Sequence, residues 1–186
     1  KCIGIIFGGE SNEHCVSISS ARTVFKALIS KPNRERFKVK AFYINKYGVW
    51  FDDDQSLKIL KENIRNDISS EYQVLPKGEI NFLNNIEFQS VDIWFPLLHG
   101  LNGEDGAIHG LLKFTHKPLV GGGILGSAIG MDKILMKKIL TQLAIPQVNY
   151  MAIQNHDLSN DHIKNNLSVE IIEKLNLPVF IKPANS

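Results

Sequence analysis

The sequence is short of the features that mark several common classes of protein. It holds 2 cysteines in 186 residues, and Cys2 and Cys15 suggest neither a disulfide framework nor a metal site. No apolar run approaches the roughly 18 residues that span a bilayer. No signal peptide is visible, because the opening apolar run is very short. These absences favour a protein of the reducing cytoplasm, with no membrane partner.

An excess of charge of one sign is also missing. Lys and Arg number 21 and Asp and Glu number 19, which gives a formal net charge of +2. The basic residues are scattered along the chain, so a nucleic-acid partner is not expected. The apolar fraction of 44% and the charged fraction of 22% are those of an ordinary globular protein.

The sequence does contain an alternation of apolar runs and amphipathic segments. We expect strands at 2–7, 37–44 and 91–98, helices at 12–29 and 105–116, and a short strand in KPLVGGG. Such alternation predicts an α/β fold built on a Rossmann-like parallel sheet. The stretch between Asp52 and Ser90 is polar and weakly periodic, with SLKILKENI as its candidate helix.

The pattern changes at Asp132, which we expect to cap the amphipathic helix DKILMKKILTQLAIP. After it we expect a strand at 148–153, a helix at 163–176 and a strand at 177–183. A boundary near 120–123 would divide the chain into domains 1–120 and 121–186. Because the chain begins at Lys1 and stops just after an expected strand, we expect a fragment of a longer protein.

The turn GGESNE follows the first expected strand, at the end where ligands bind in open α/β sheets. It is not a G-x-G-x-x-G sequence, which disfavours an NAD-dependent dehydrogenase. Glu13 is either a solvated residue at a helix start or a partner for a ligand's ammonium group. His99 ends the most apolar expected strand, before Gly100, and is either a hydrogen-bonded core histidine or a ligand contact.

Other polar residues point to no chemistry of their own. His14, His109 and His116 fall on helix surfaces by pattern, and no pair has metal-ligand spacing. Ser17 and Ser20 lack the G-x-S-x-G elbow of serine hydrolases.

Two lysines indicate an anion. Lys133 lies in the first turn of its expected helix, where its ammonium and the helix amides could face a phosphate. Lys182 ends the apolar segment PVFIK, and an inward-facing ammonium there would need an anionic partner.

Four stretches together resemble the D-alanine–D-alanine ligase family of the ATP-grasp superfamily. GGESNEHCVS is similar to its GG-x-S-x-E-(H/R)-x-V-S, and PLLHGLNGEDGAIHGLL to its HG-x-x-GEDG-x-x-x-G. GGGILGSAIGMDK is similar to its G-x-G-x-x-x-S-A-x-x-MDK, and FIKPANS to the strand and turn before its phosphate loop. The chain departs from the family at Gly122, where Ser or Cys is common, and at Gly126, where Ala is.

The resemblance implies a pre-ATP-grasp domain followed by the beginning of an ATP-grasp domain. It also implies a reaction for peptidoglycan synthesis, in which ATP phosphorylates one D-alanine and the amine of a second attacks the acyl phosphate. Glu13 would hold the ammonium of the first D-alanine, and His99 would lie near its reacting carboxylate. Val16 and Gly100 would complete that substrate site.

The same resemblance implies that Lys133 and Lys182 contact the phosphates of ATP. Mg²⁺ or Mn²⁺ would be the cofactor, with its ligands beyond Ser186, so the 186 residues alone would be inactive. A homodimer is the family's usual assembly. A D-alanine–D-lactate ligase and a non-catalytic amino-terminal fragment remain as alternatives.

Overall fold

The computed structural model describes residues 1–61, 88–154 and 161–185, with the backbone alone at 161–165. It divides into two compact units, Lys1–Ala128 and Ile129–Ser186. The expected boundary at 120–123 lies a few residues before this division. No helix among the described residues combines the length and the apolar character that a membrane span needs.

The described residues of the first unit form a three-stranded parallel sheet in the order β2-β1-β3. Its strands are β1 (Cys2–Gly8), β2 (Lys38–Ile44) and β3 (Ile93–Pro96). Its helices are α1 (His14–Ile29), α2 (Asp53–Lys61), α3 (Ala107–Lys113) and α4 (Gly123–Met131), which runs across the division. Short 3-10 helices cover Asn33–Glu35 and Phe88–Ser90. The expected α/β fold with a parallel sheet is confirmed.

The core lies on both faces of β1, because successive side chains of a strand point to opposite faces. Ile5 and Phe7 pack on one face with residues of α1 and α2, including Phe25. Ile6 packs on the other face with Trp94 of β3 and with α3. Burial on both sides explains why β1 is a continuous apolar run rather than an alternating one.

Gly8 allows β1 to end against β2. A Cβ on Gly8 would lie 2.1 Å from the carbonyl oxygen of Ile44, and its φ of +93° is in the left-handed region. The next amide, that of Gly9, donates to that same oxygen at 2.8 Å. The turn after β1 therefore depends on a residue without a side chain at this position.

The second unit contains α5 (Lys133–Gln142) and α6 (Asp161–Leu175). Asp132 caps α5 as expected, since its carboxylate accepts from the amides of Ile134 and Leu135. Many large apolar side chains of this unit are exposed, among them Leu143 at 63%, Val148 at 77% and Phe180 at 92%.

Two expected strands are wrong: the segments 148–153 and 177–183 are irregular. A strand needs a neighbour for its backbone donors and acceptors, and the described residues beside these segments provide only the single bridge between Asp132 and Asn185. The strand expected in KPLVGGG is reduced to one bridge, between Trp94 and Leu119. Helix α4 was not predicted from the sequence, because its three glycines have low helix propensity.

Substitution of Gly8 tests the close approach of β1 to β2. Gly8→Ala is expected to lower the free energy of unfolding by about 3 kcal/mol or more, because the new methyl group would clash with a backbone oxygen. Urea denaturation followed by circular dichroism measures the change. Gly126→Ala is the matched control: apart from its chain neighbours and the backbone of its own helix, no atom of the described residues lies within 4 Å of its added Cβ. It should stabilise α4 by about 0.5–1 kcal/mol. Equal effects of the two substitutions would contradict the steric explanation.

Candidate functional site

The parallel pairing of β1 with β3 brings two loops together at the carboxyl ends of these strands. Ile6 is paired with Pro96, and the amide of Leu97 donates to the carbonyl of Ile6 at 2.7 Å. The loop between β1 and α1 thus lies beside the loop between β3 and α3. This edge is where open α/β sheets bind ligands.

Ser17 joins the ends of these two strands. The amide of Gly8 donates to its Oγ at 2.8 Å, and this hydroxyl donates to the carbonyl of Leu97 at 2.7 Å. Ser17 is fully buried. Its proton is committed to a backbone carbonyl, so the side chain is structural, in agreement with the absence of a nucleophile elbow.

Ser11 links the two loops directly, a role that the sequence analysis missed. Its hydroxyl donates to the carbonyl of His99 at 2.7 Å and accepts from the amide of Glu13 at 3.2 Å. The signal was present in the sequence, because Ser11 is the fixed serine of the GG-x-S-x-E pattern. It holds the backbone of Glu13 and that of His99 at a constant separation.

Glu13 presents an exposed carboxylate to this edge. A Cβ on Gly100, whose φ is +69°, would lie 2.9 Å from Oε2 of Glu13, so the carboxylate packs closely over the glycine. It makes no hydrogen bond or ion pair with the residues that the structure describes. Val16, one turn further along α1 and 51% exposed, lies on the same helix face. The pair offers a negative charge beside a small apolar surface.

His99 is held at both ring nitrogens. Its Nδ1 lies 3.2 Å from Oε1 of Glu104, and its Nε2 lies 3.0 Å from Oγ of Ser20. The other oxygen of Glu104 accepts from the amide of Gly100 at 3.1 Å. Because a carboxylate accepts, the hydrogen of the neutral ring belongs on Nδ1, and Nε2 then accepts from Ser20. The imidazole is 30% exposed, so it is fixed in orientation and still within reach of a ligand.

Of the three histidines that were expected on helix surfaces, two are buried, which corrects the sequence-based expectation. His14 is buried, with Nδ1 at 2.6 Å from the carbonyl of Gly9 and Nε2 at 3.0 Å from the hydroxyl of Tyr43. His109 is also buried, with Nδ1 at 2.9 Å from Oγ of Ser127. His116 is exposed but lies in the turn after α3. Hydrogen bonds to both nitrogens of His14 and to Nδ1 of His109 hold the two buried rings in place, which makes them structural.

The two candidate phosphate-binding lysines belong to the second unit. Lys133 is the first residue of α5, as expected, but the amides of Ile134 and Leu135 already donate to Asp132. An anion at this helix start would therefore find those two amides already engaged. Lys182 is exposed and follows Ile181, which is 93% exposed, so the inward-facing ammonium considered for it is wrong.

The described residues contain no group of three His, Cys, Asp or Glu side chains placed to hold a metal ion. What the described part of this edge can do chemically is bind a cation at Glu13 and present a positioned imidazole at His99.

Comparison with known proteins assigns the chain to a family. A family model described as "D-ala D-ala ligase N-terminus" matches residues 2–122. Proteins named D-alanine–D-alanine ligase from Prochlorococcus marinus subsp. pastoris and from a second Prochlorococcus marinus strain are 77% and 75% identical to it. Both alignments cover 100% of this chain and 52% of the relative, so the chain spans about half the length of these curated relatives.

Solved structures agree on the fold. The VanG D-Ala:D-Ser ligase of Enterococcus faecalis is 28% identical, with a TM-score of 0.65 over 100% of this chain and 52% of that one. The D-alanine–D-alanine ligase of Coxiella burnetii is also 28% identical, with a TM-score of 0.66 over 90% of this chain and 48% of that one.

Removal of the Ser17 hydroxyl tests the link between the strand ends. Ser17→Ala is expected to lower the free energy of unfolding by about 2–4 kcal/mol, because it removes the partner of a buried amide and of a part-buried carbonyl. The measurement is urea denaturation. Ser19→Ala, at an exposed position of α1, is the control and should change stability by less than about 0.5 kcal/mol. A loss at Ser17 no larger than at Ser19 would refute the assigned role.

Proposed function

Because this chain belongs to the D-alanine–D-alanine ligase family through its amino-terminal domain, we propose that it takes part in ATP-dependent synthesis of D-alanyl-D-alanine. The observation that carries this proposal is the unpartnered carboxylate of Glu13 on an edge that also presents the positioned ring of His99. In this reaction ATP phosphorylates the carboxylate of a first D-alanine. The amine of a second then attacks the acyl phosphate, phosphate leaves, and the dipeptide serves peptidoglycan synthesis.

Glu13 is proposed to bind the ammonium of the first D-alanine. A charge-assisted hydrogen bond to a carboxylate is among the stronger contacts available to an amine. Val16 would lie beside the small apolar part of the substrate. Because Gly100 has no side chain, the carboxylate of Glu13 has room to reach the substrate's ammonium group. A D-amino acid with a methyl side chain matches this combination of charge and limited apolar area.

His99 is proposed to lie near the carboxylate that is phosphorylated. The carboxylate oxygen gives up negative charge as it bonds to phosphorus, so what a positioned group beside it supplies is the orientation of the attacking oxygen. In the neutral ring Nε2 accepts from Ser20, and a substrate oxygen could accept from Nε2 only when the ring carries a hydrogen on both nitrogens. In either form the Nδ1 hydrogen bond to Glu104 keeps the ring oriented.

Lys133 and Lys182 are proposed to contact the phosphates of ATP, where two ammonium groups would offset negative charge that repels the attacking carboxylate. Domain 1–120 would bind the amino acid, and 121–186 would begin the ATP-grasp domain. Mg²⁺ or Mn²⁺ is proposed to act with ATP by neutralising the phosphates. The described residues provide no complete set of ligands for it, so its ligands would lie outside them.

D-Alanine is proposed as the second substrate as well. The proteins that are 77% and 75% identical are named D-alanine–D-alanine ligase, and none of the reported comparisons favours D-lactate. We further propose a homodimer in the cytoplasm, the compartment that supplies ATP.

The activity is tested by phosphate release from ATP with Mg²⁺ and D-alanine, using purified protein whose intact mass has been determined. Release should require D-alanine. Glu13→Gln should raise KM for D-alanine by about tenfold or more, because the ammonium loses its anionic partner. Lys182→Ala should raise KM for ATP.

Glu35→Gln is the matched control for Glu13. That residue is exposed, in a 3-10 helix, and its ion pair with Lys31 is 3.8 Å long. No D-alanine-dependent release from a protein longer than 186 residues, or equal kinetics of the two Gln variants, would contradict the proposal.

The positioning of His99 has a separate test. In wild-type protein the neutral ring should carry its hydrogen on Nδ1, as seen from ¹⁵N chemical shifts of the imidazole, and Glu104→Ala should weaken that preference. Ser20→Ala should lower kcat/KM for D-alanine by about tenfold, the value of one hydrogen bond. Ser19→Ala serves as the control on the same helix. An unchanged tautomer in Glu104→Ala would show that the carboxylate does not orient the ring.

A further inference from the structure

A cavity of about 330 Å³ opens in the first unit, beside the proposed substrate site. It lies between the turn after β1, the turn after β2 and helix α3. Its apolar lining comes from Ile44, Trp50, Leu98, Leu101, Ile108 and Leu111. Its size is at the lower end of the range of small-molecule sites, about 300–1,000 Å³.

The polar residues of the lining are Glu10, His99 and Asn102. His99 has both ring nitrogens engaged by Glu104 and Ser20, so it offers the cavity little beyond its ring carbons. Neither Glu13 nor Gly100 lines the cavity, which distinguishes it from the place proposed for D-alanine.

Glu10 gives the cavity its charge. Its carboxyl carbon lies 3.3 Å from the position that a Cβ on Gly48 would occupy, and Gly48 is itself part of the lining. The side chain therefore reaches across the mouth of the cavity, from the turn after β1 to the turn after β2. The carboxylate makes no hydrogen bond or ion pair with the residues that the structure describes.

These features of the cavity favour a ligand that carries a positive charge. Within the described part of the chain, no Lys or Arg lines the cavity, and the indole of Trp50 presents a π-surface of the kind that attracts cations. An anion would meet the Glu10 carboxylate without a compensating group. A neutral apolar molecule would leave that carboxylate unpaired.

We propose that this cavity is a second binding site, for a small organic amine whose ammonium pairs with Glu10 and whose compact apolar group lies between Trp50 and α3. Because His99 forms part of the wall, an occupant of this site contacts the ring carbons of a residue assigned to the substrate site. The occupant takes no part in the proposed reaction, and the lining residues named above all belong to the first unit.

The test is an NMR titration of the protein with 2-phenylethylamine, and with 2-phenylethanol and phenylacetate as neutral and anionic analogues. The amine should bind saturably at one site, about tenfold more tightly than either analogue. It should shift the indole N–H of Trp50, assigned with Trp50→Phe, and leave that of the buried Trp94 unmoved.

Variants locate the site. Glu10→Gln should reduce the affinity for the amine about tenfold, to that for the alcohol, and Leu111→Trp should abolish binding by filling the cavity. Glu35→Gln, at a distant exposed position, should change nothing. Equal binding of the three probes, absence of saturation, or a loss that follows Glu13→Gln rather than Glu10→Gln would overturn the proposal. The titration contains no ATP or D-alanine, so its failure would leave the ligase proposal standing.

Discussion

The parallel pairing of β1 with β3 is the constraint on which the rest of the site depends. Four residue pairs, from Ile3 with Ile93 to Ile6 with Pro96, fix where both strands end. Ser17 secures that edge by accepting from one strand end and donating to the other. A shift of register by one residue would turn the buried face of β3 outward and separate the two loops. Glu13 and His99, distant in sequence, are neighbours only because this register holds.

Most of the remaining order in the site comes from side chains that bind backbone rather than one another. Ser11 holds the carbonyl of His99, and Glu104 holds the amide of Gly100. Contacts of this kind fix the loops whatever the neighbouring side chains are. Among the residues that the structure describes, the carboxylate of Glu13 has no hydrogen-bond or ion-pair partner. Its placement before any ligand arrives lowers the cost of ordering the site on binding.

Elements that depend on local sequence patterns were predicted correctly. The three strands of the sheet and helix α1 follow from apolar runs and amphipathic periodicity, and the Asp132 cap follows from its position before such a helix. Patterns that depend on distant parts of the chain were not. The alternation in 148–153 is typical of a strand, but no strand pairs with it among the described residues.

Helix α4 was not predicted because its glycines have low helix propensity. His14 was predicted to lie on a helix surface, because its hydrogen-bond partner Tyr43 belongs to β2 and is distant in sequence. The functions of Ser11 and Ser20 could not be predicted from spacing alone. Both hydroxyls form hydrogen bonds with His99, which lies in a loop far from them in the sequence.

Because of the hydrogen bonds of Ser17, movement of α1 away from the sheet and separation of the strands can be detected at different amides of β1. The amide of Gly8 donates to a side chain of α1, whereas the amides further back along the strand lie within the sheet. Deuterium therefore enters at Gly8 whenever α1 lifts from the sheet, and enters at Ile5 only when the strands themselves part. The time course of exchange at this single amide thus reports how often the helix that carries Glu13 leaves its place, without any ligand or substitution.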